Sequence, residues 1–179
     1  EFWNSQGIET TQEDIQKSFE SYVKIGGMPG TYVYSEEKQR FDYVRNVYET
    51  ILLCDLVDKY KIRNKDELLR IAMFLMDNIS NLTSPNNICN ALTSSGSSIT
   101  RKTVSSYIEA MKKAFLFYEA KRFDLKGKKY FSTNSKLYLC DLSYRYAING
   151  TRNLDFGRMY ENLVYLELLR RGWTVYVGK

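Results

Sequence analysis

The chain contains no histidine. With it go the commonest general base and metal ligand, and so most serine, cysteine and zinc hydrolase mechanisms. Any chemistry would have to rest on carboxylates. Cysteine is nearly as scarce. Cys54, Cys89 and Cys140 are far apart and odd in number, which fits neither a disulfide framework nor paired zinc spacing. A reducing, cytoplasmic setting is expected. No apolar run approaches the roughly 20 residues a membrane span needs, and no charged-then-apolar leader opens the chain, so a soluble protein without a membrane partner is expected. No Gly-x-x-x-x-Gly-Lys-Ser/Thr occurs, so nothing here cradles a β-phosphate in the P-loop manner. No internal repeat or low-complexity tract is found, and the Asn-x-Ser/Thr triplets at Asn78, Asn81 and Asn149 read as chance.

What is present is a globular composition, 44% hydrophobic over 179 residues, enough for one respectable core or two small ones. The net charge of +5 is unevenly placed. From Thr100 to Tyr130 nine Lys/Arg stand against three acids, a balance of +6, which leaves 17 basic and 18 acidic residues elsewhere. Such a local excess is the footprint of a surface for phosphates or acidic partners.

Thr11 and Asp14 start a helix whose Ile15, Phe19, Tyr22 and Val23 recur at helical spacing until Gly26-Gly27 and Pro29 stop it. A second helix is expected from about Ser35 to Lys59, packed against the first, on the pattern Phe41, Val44, Tyr48, Ile51, Leu52 and Leu56. Asn64 with Glu67 resembles a capping box ahead of the stripe Leu68, Ala72, Leu75 and Ile79. Ser84-Pro85 opens a short helix that Gly96 ends. Thr100 caps a third, with Ile99 stapled on Val104, and Tyr107, Ile108, Met111 and Phe115 inward. The period then changes to two: Phe117, Glu119, Lys121 and Phe123 alternate, Lys126-Gly127 turns, Tyr130-Phe131 returns, and Lys136 to Cys140 forms a further short strand ending at Asp141. Asp155 to Arg171 is an apolar helix, and Trp173 to Val177 starts a strand with no partner in view.

Three helices followed by a basic hairpin is the winged-helix order, in which the third helix enters the major groove and the wing lies on the backbone. The candidate DNA contacts are therefore Arg101, Lys102, Ser105 and Ser106 at the start of the third helix, with Lys126, Lys128 and Lys129 from the wing.

Several stretches resemble, in order, those of the bacterial and archaeal AAA-type ATPases that carry a C-terminal domain of unknown function. Glu1-Phe2 is similar to the end of a Ser-Phe-x-Glu-Phe stretch, and Tyr22 to Pro29 to a Tyr-x-x-x-Gly-Gly-x-Pro element. Thr50 to Ile62 resembles an Asp-containing helix end, although Cys54 stands before Asp55 where the family commonly has a basic residue. Thr103-Val104 with Tyr107-Ile108, Lys136 to Asp141, and Glu161 to Leu168 follow. The resemblance implies a parent with a P-loop ATPase, holding ATP and Mg, absent from this chain. It also implies a helical lid-like segment at 1–62, a winged-helix unit at 63–142, and the start of a truncated α/β nuclease-like domain at 143–179. The expected class is thus mainly α with a small amount of β (α+β). In the nuclease-like motif a helical Glu joins later acids around a divalent metal. Glu161 lacks those acids, and Glu167, six residues on, lies on another face, so no metal and no catalytic residue are assigned. The expected function is a non-catalytic fragment binding double-stranded DNA. The alternative is a lid and protein-interaction module that couples the parent's nucleotide state to a partner or to self-association.

Overall fold

A computed structural model describes residues 11–124, 129–151 and 154–178, with backbone alone at 53, 124 and 129–133. It is mainly helical with a small antiparallel sheet, an α+β arrangement. Among the described residues no helix is long and apolar enough to cross a membrane.

Helix α1 spans Gln12–Ile25 and begins at a reciprocal cap: Thr11 Oγ1 accepts from Asp14 N–H at 3.2 Å and the Asp14 carboxylate accepts from Thr11 N–H at 3.1 Å. It meets the second helix only at its end, where Lys24 Nζ donates to Glu37 at 2.7 Å and Val23 joins the same core as Val44 and Tyr48. Only Val23 and Ile25 at its end are buried, and it packs chiefly on α6. Ile15, Phe19 and Tyr22 stay at least two-fifths exposed, because the surface opposite them is α7, with Phe19 and Tyr160 ring centres 5.9 Å apart. A 3-10 turn at Pro29–Val33 leads to α2, Glu37–Thr50, which runs on through π-helical bonding over Ile51–Asp58.

Helix α3, Lys65–Asp77, is capped by Asn64, whose side-chain oxygen accepts from Glu67 N–H at 3.1 Å. The two-residue strand β1, Leu82–Thr83, precedes α4, Pro85–Ser94, capped by Ser84. Helix α5, Arg101–Lys113, is capped by Thr100. Strands β2, Phe117–Asp124, and β3, Lys129–Leu139, form the hairpin, and the sheet runs β1-β3-β2 with a register shift between Lys121 and Arg122. Helices α6, Ser143–Asn149, and α7, Phe156–Arg170, complete the described chain.

Two expectations are corrected. Lys136 to Cys140 is not a separate strand: it is the second half of β3, paired with β2 from Phe117↔Leu139 onward. The segment after α7 has a partner, since Val177 N–H donates to Lys121 O at 3.0 Å and Val177 O accepts from Phe123 N–H at 2.9 Å, parallel to β2. Helix α6, unassigned from the sequence, is nearly all buried, among α1, α2 and α3. The Lys126-Gly127 turn lies outside the described residues.

One core joins these parts. Val44, Tyr48 and Leu56 of the α2 arm meet Leu68, Ile71 and Leu75 of α3, Val104 and Met111 of α5, and Phe117 and Leu139 of the sheet, all 2% exposed or less. Burying one such aliphatic or aromatic side chain contributes about 1.5–3 kcal/mol. The outer face of α5 is what this core leaves over.

Candidate nucleic-acid interface

Thr100 Oγ1 accepts from Thr103 N–H at 3.2 Å, and buried Ile99 and Val104 flank the cap as a staple. With Tyr107, Ile108 and Met111 turned inward, the opposite face must point out. Arg101, Lys102 and Ser106 are exposed, and Ser105 is half-buried.

Two depressions separate these residues. Lys102 and Ser106, with Thr103, line a groove of about 450 Å³ whose far wall is Tyr60, Lys61 and Arg63. Ser105 lines a smaller one of about 140 Å³ toward the sheet, beside Glu109, Glu119 and Ser135. Arg101 lines neither. Lys126 and Lys128 lie outside the described residues; Lys129 is opposite Asp124 at the start of β3, and its side chain is likewise outside them. Of the four predicted contacts whose side chains are described, two, Lys102 and Ser106, line the same groove.

The sheet side of α5 is less positive than the sequence implies. Lys112 Nζ stands 2.6 Å from carboxylate oxygens of both Glu109 and Glu119. Burial of Glu119 disfavours its charge, but hydrogen bonds from Lys112 and Ser135 and nearby positive charge outweigh it, so this carboxyl titrates below its ordinary value. Burial likewise disfavours charged Lys112, and its two glutamates outweigh that, so the ammonium titrates above its ordinary value. A carboxyl held low stabilises the fold above its unfolded pKa and stops doing so as pH falls through the folded one. An amine held high stabilises below its unfolded pKa and stops as pH rises through the folded one. The pair therefore ties α5 to β2 across neutral pH and releases it at both extremes. Glu119→Gln should lower stability in urea at neutral pH and leave it unchanged in strong acid; an equal loss at both would show that the pair's charge is not what matters.

The Glu161 carboxylate is engaged within the fold. It accepts from Lys136 Nζ at 2.7 and 3.0 Å and from Tyr138 OH at 2.8 Å, and among the described residues no three His, Cys, Asp or Glu gather where they could hold an ion. Burial, then Glu161, pushes the Tyr138 hydroxyl well above its usual range, and burial raises that of Tyr165, stacked on it at 3.8 Å, to about 12. Glu167 points elsewhere, held by Arg170 and Arg171 at 2.6 and 2.7 Å. Next to Glu161, buried Asn162 bridges the peptide groups of Leu139. Gly27 N–H donates to Asp141 Oδ2 at 2.7 Å. Burial, then Asp141, raises the Cys140 thiol to about 12, which disfavours the thiolate.

Sequence reasoning missed the cations of the Lys59–Lys65 loop. Their signal was there, four Lys/Arg at alternate positions, but it lay outside the charge-rich window. It also missed a second, apolar groove of about 660 Å³ between Phe19 and Tyr22 of α1 and Tyr160, Leu163 and Val164 of α7.

Residues 16–155 match the family described as Domain of unknown function (DUF8612). The chain is 32% identical over its full length to an uncharacterized protein of Haemophilus influenzae (strain ATCC 51907 / DSM 11121 / KW20 / Rd), of which it covers 44%. It is 29% identical over 161 residues, 90% of the chain, to Uncharacterized protein MJ1544 of Methanocaldococcus jannaschii, of which it covers 36%. The chain thus spans less than half the length of these relatives. No solved structure matches. These findings overturn the identification as the C-terminal region of an AAA-type ATPase: the family found is a domain of unknown function, and neither relative is described as an ATPase. There is a physical reason why the motifs misled. Gly26-Gly27, Leu139 to Asp141, and Glu161-Asn162 hold α1, β3 and α7 to one another, so their agreement reports packing and says nothing of nucleotide chemistry.

Proposed function

The chain belongs to the DUF8612 family, and we propose that it binds duplex DNA, with α3, α4, α5 and the β2–β3 hairpin acting as a winged-helix unit. The observation that carries this reading is the outward face of α5, where Arg101 and Lys102 stand exposed on the first turn and Ser106 one turn on, at the end of a helix that recognition helices point at base edges. The element order supports it: helix, short strand, two helices and a hairpin, with β1 against β3. Lys126, Lys128 and Lys129, whose side chains lie outside the described residues, are the further phosphate contacts that the sequence supplies to this reading. The segment beyond α6 completes the sheet side, and the nuclease-like reading of it gains no support from Glu161.

Anisotropy of a labelled duplex tests this. Binding should appear at low salt and weaken linearly on a log–log plot as salt rises, because phosphate contacts release counterions. Arg101→Ala with Lys102→Ala should weaken it about tenfold or more, and the salt slope should fall by about one for every phosphate that is no longer neutralised. A flat titration at low salt ends the proposal.

A protein-interaction module is the second reading, favoured by the groove between α1 and α7. Phe19, Tyr22, Tyr160, Val164 and Trp173 are each at least 40% exposed there, a contiguous apolar surface of the kind that marks interfaces. No duplex binding, together with a dimer in sedimentation that Val164→Glu dissolves, would favour it.

A further inference from the structure

The loop between the π-helical end of the α2 arm and α3 carries Lys59, Lys61, Arg63 and Lys65 within seven residues. Of the residues between them Tyr60 and Ile62 face inward, while Asn64 is exposed and caps α3. Ile62 is buried and its N–H donates to Val57 O at 3.1 Å, and Tyr60 is half-buried against the core. All four cationic side chains are exposed. Among the described residues none of the four makes an ion pair, although Asp58 and Asp66 are close in sequence.

The loop is also held in an unusual conformation. Lys61 has φ 52°, the left-handed region in which a side chain is disfavoured and glycine is the easy choice. A lysine kept there keeps a charge at the cost of backbone strain, and such strain persists where surrounding structure enforces it. What enforces it is the anchoring of Tyr60 and Ile62 on either side.

Lys61 and Arg63 face Lys102, Thr103 and Ser106 across the groove, with Glu67 at its edge. Lys59 Nζ and Lys113 Nζ each stand 5.9 Å from the centre of the Tyr60 ring. Lys102, Ser106 and Lys113 recur at four and eleven residues, one side of α5. From Lys102 to Lys113 that side extends about 16 Å at 1.5 Å per residue, enough to cross a major groove about 12 Å wide. Two rows of cations thus run side by side. On the other side of α5, Glu109 and Glu119 neutralise Lys112. On the loop side Glu67 also lines the groove, but among the described residues none of Lys61, Arg63 and Lys102 makes an ion pair.

Resting on the duplex-binding reading, we infer that the Lys59–Lys65 loop is a second phosphate-backbone site, gripping the strand on the side of α5 opposite the hairpin. Lys61 and Arg63 make its central contacts, and Lys59 and Lys65 extend it along the backbone.

The test is duplex anisotropy on the intact chain between about 50 and 200 mM salt, comparing the wild type with Lys61→Gly, Arg63→Gln and the pair. Removing one cation from a phosphate should reduce the log–log slope by about 0.9, so the double variant should lose close to two and bind at least tenfold more weakly at the low end. Lys61→Gly relieves the left-handed backbone, so its melting temperature should equal or exceed that of the wild type, which keeps a loss of binding from being a loss of fold. A wild type that binds while the double variant keeps its slope and affinity overturns the loop site and leaves the reading of α5 standing. A wild type that does not bind overturns both.

Discussion

Asn162→Ala should cost about 2–6 kcal/mol of unfolding free energy, because it leaves two buried backbone groups without partners at about 1–3 kcal/mol each. Asn162 is fully buried; its Oδ1 accepts from Leu139 N–H at 2.8 Å and its Nδ2 donates to Leu139 O at 2.9 Å. Leu139 ends β3 beside Phe117 of β2, but on its other edge β1 reaches only Lys136 and Ser135. The amide of Asn162 takes the place of the missing strand, offering one acceptor and one donor at the spacing of a peptide. Urea unfolding reads the loss directly, and Asn162→Leu, similar in volume, should fare little better because it too supplies no partner. Against the 5–15 kcal/mol that hold a typical domain together, either change is large. A loss below about 1 kcal/mol would mean that water replaces the amide and that α7 is held to the sheet by apolar contact alone.

What could be read from the sequence was local. Thr11, Asn64, Ser84 and Thr100 each satisfy a backbone N–H three residues on, so a cap and the helix it starts are written within one turn. Helix α6 has no such pattern. Tyr144, Arg145, Tyr146 and Ala147 are consecutive and all buried, and a helix covered on every side shows no period; even Arg145, 2% exposed, finds Asp77 at 3.3 Å. Strand β1 is two residues long and exists only because β3 passes by. At the interface the exposure of Arg101 and Lys102 follows from the staple and cap that orient α5. The neutralisation of Lys112 does not, because Glu119 arrives from β2. The loop at Lys59–Lys65 escaped for a different reason: summed with the rest of the chain its four cations are cancelled by distant acids, although among the described residues no acid pairs with them in space.

Gly26→Ala should be as damaging as the loss of Asn162, and for a reason that no local reading of Gly-Gly-x-Pro supplies. Gly26 has φ 81° and ψ −169°, a region essentially reserved for glycine, where another residue costs about 1–3 kcal/mol. A Cβ there would lie 1.9 Å from Asp141 Oδ1 and 2.6 Å from its Cγ, so the carboxylate must leave. It is held by Gly27 N–H at 2.7 Å and Ser143 N–H at 2.8 Å, hydrogen bonds to a charged group worth about 1.5–3 kcal/mol apiece. Together these predict a loss of at least about 3 kcal/mol, seen as a lower urea midpoint with α1 freed first, since its last turn is its only buried part. A double-mutant cycle separates the two causes. In an Asp141→Ala background the clash is gone, and Gly26→Ala should then cost only the backbone strain. If the cost is the same in both backgrounds, the approach of Asp141 to Gly26 is incidental, and the glycine is needed for its conformation alone.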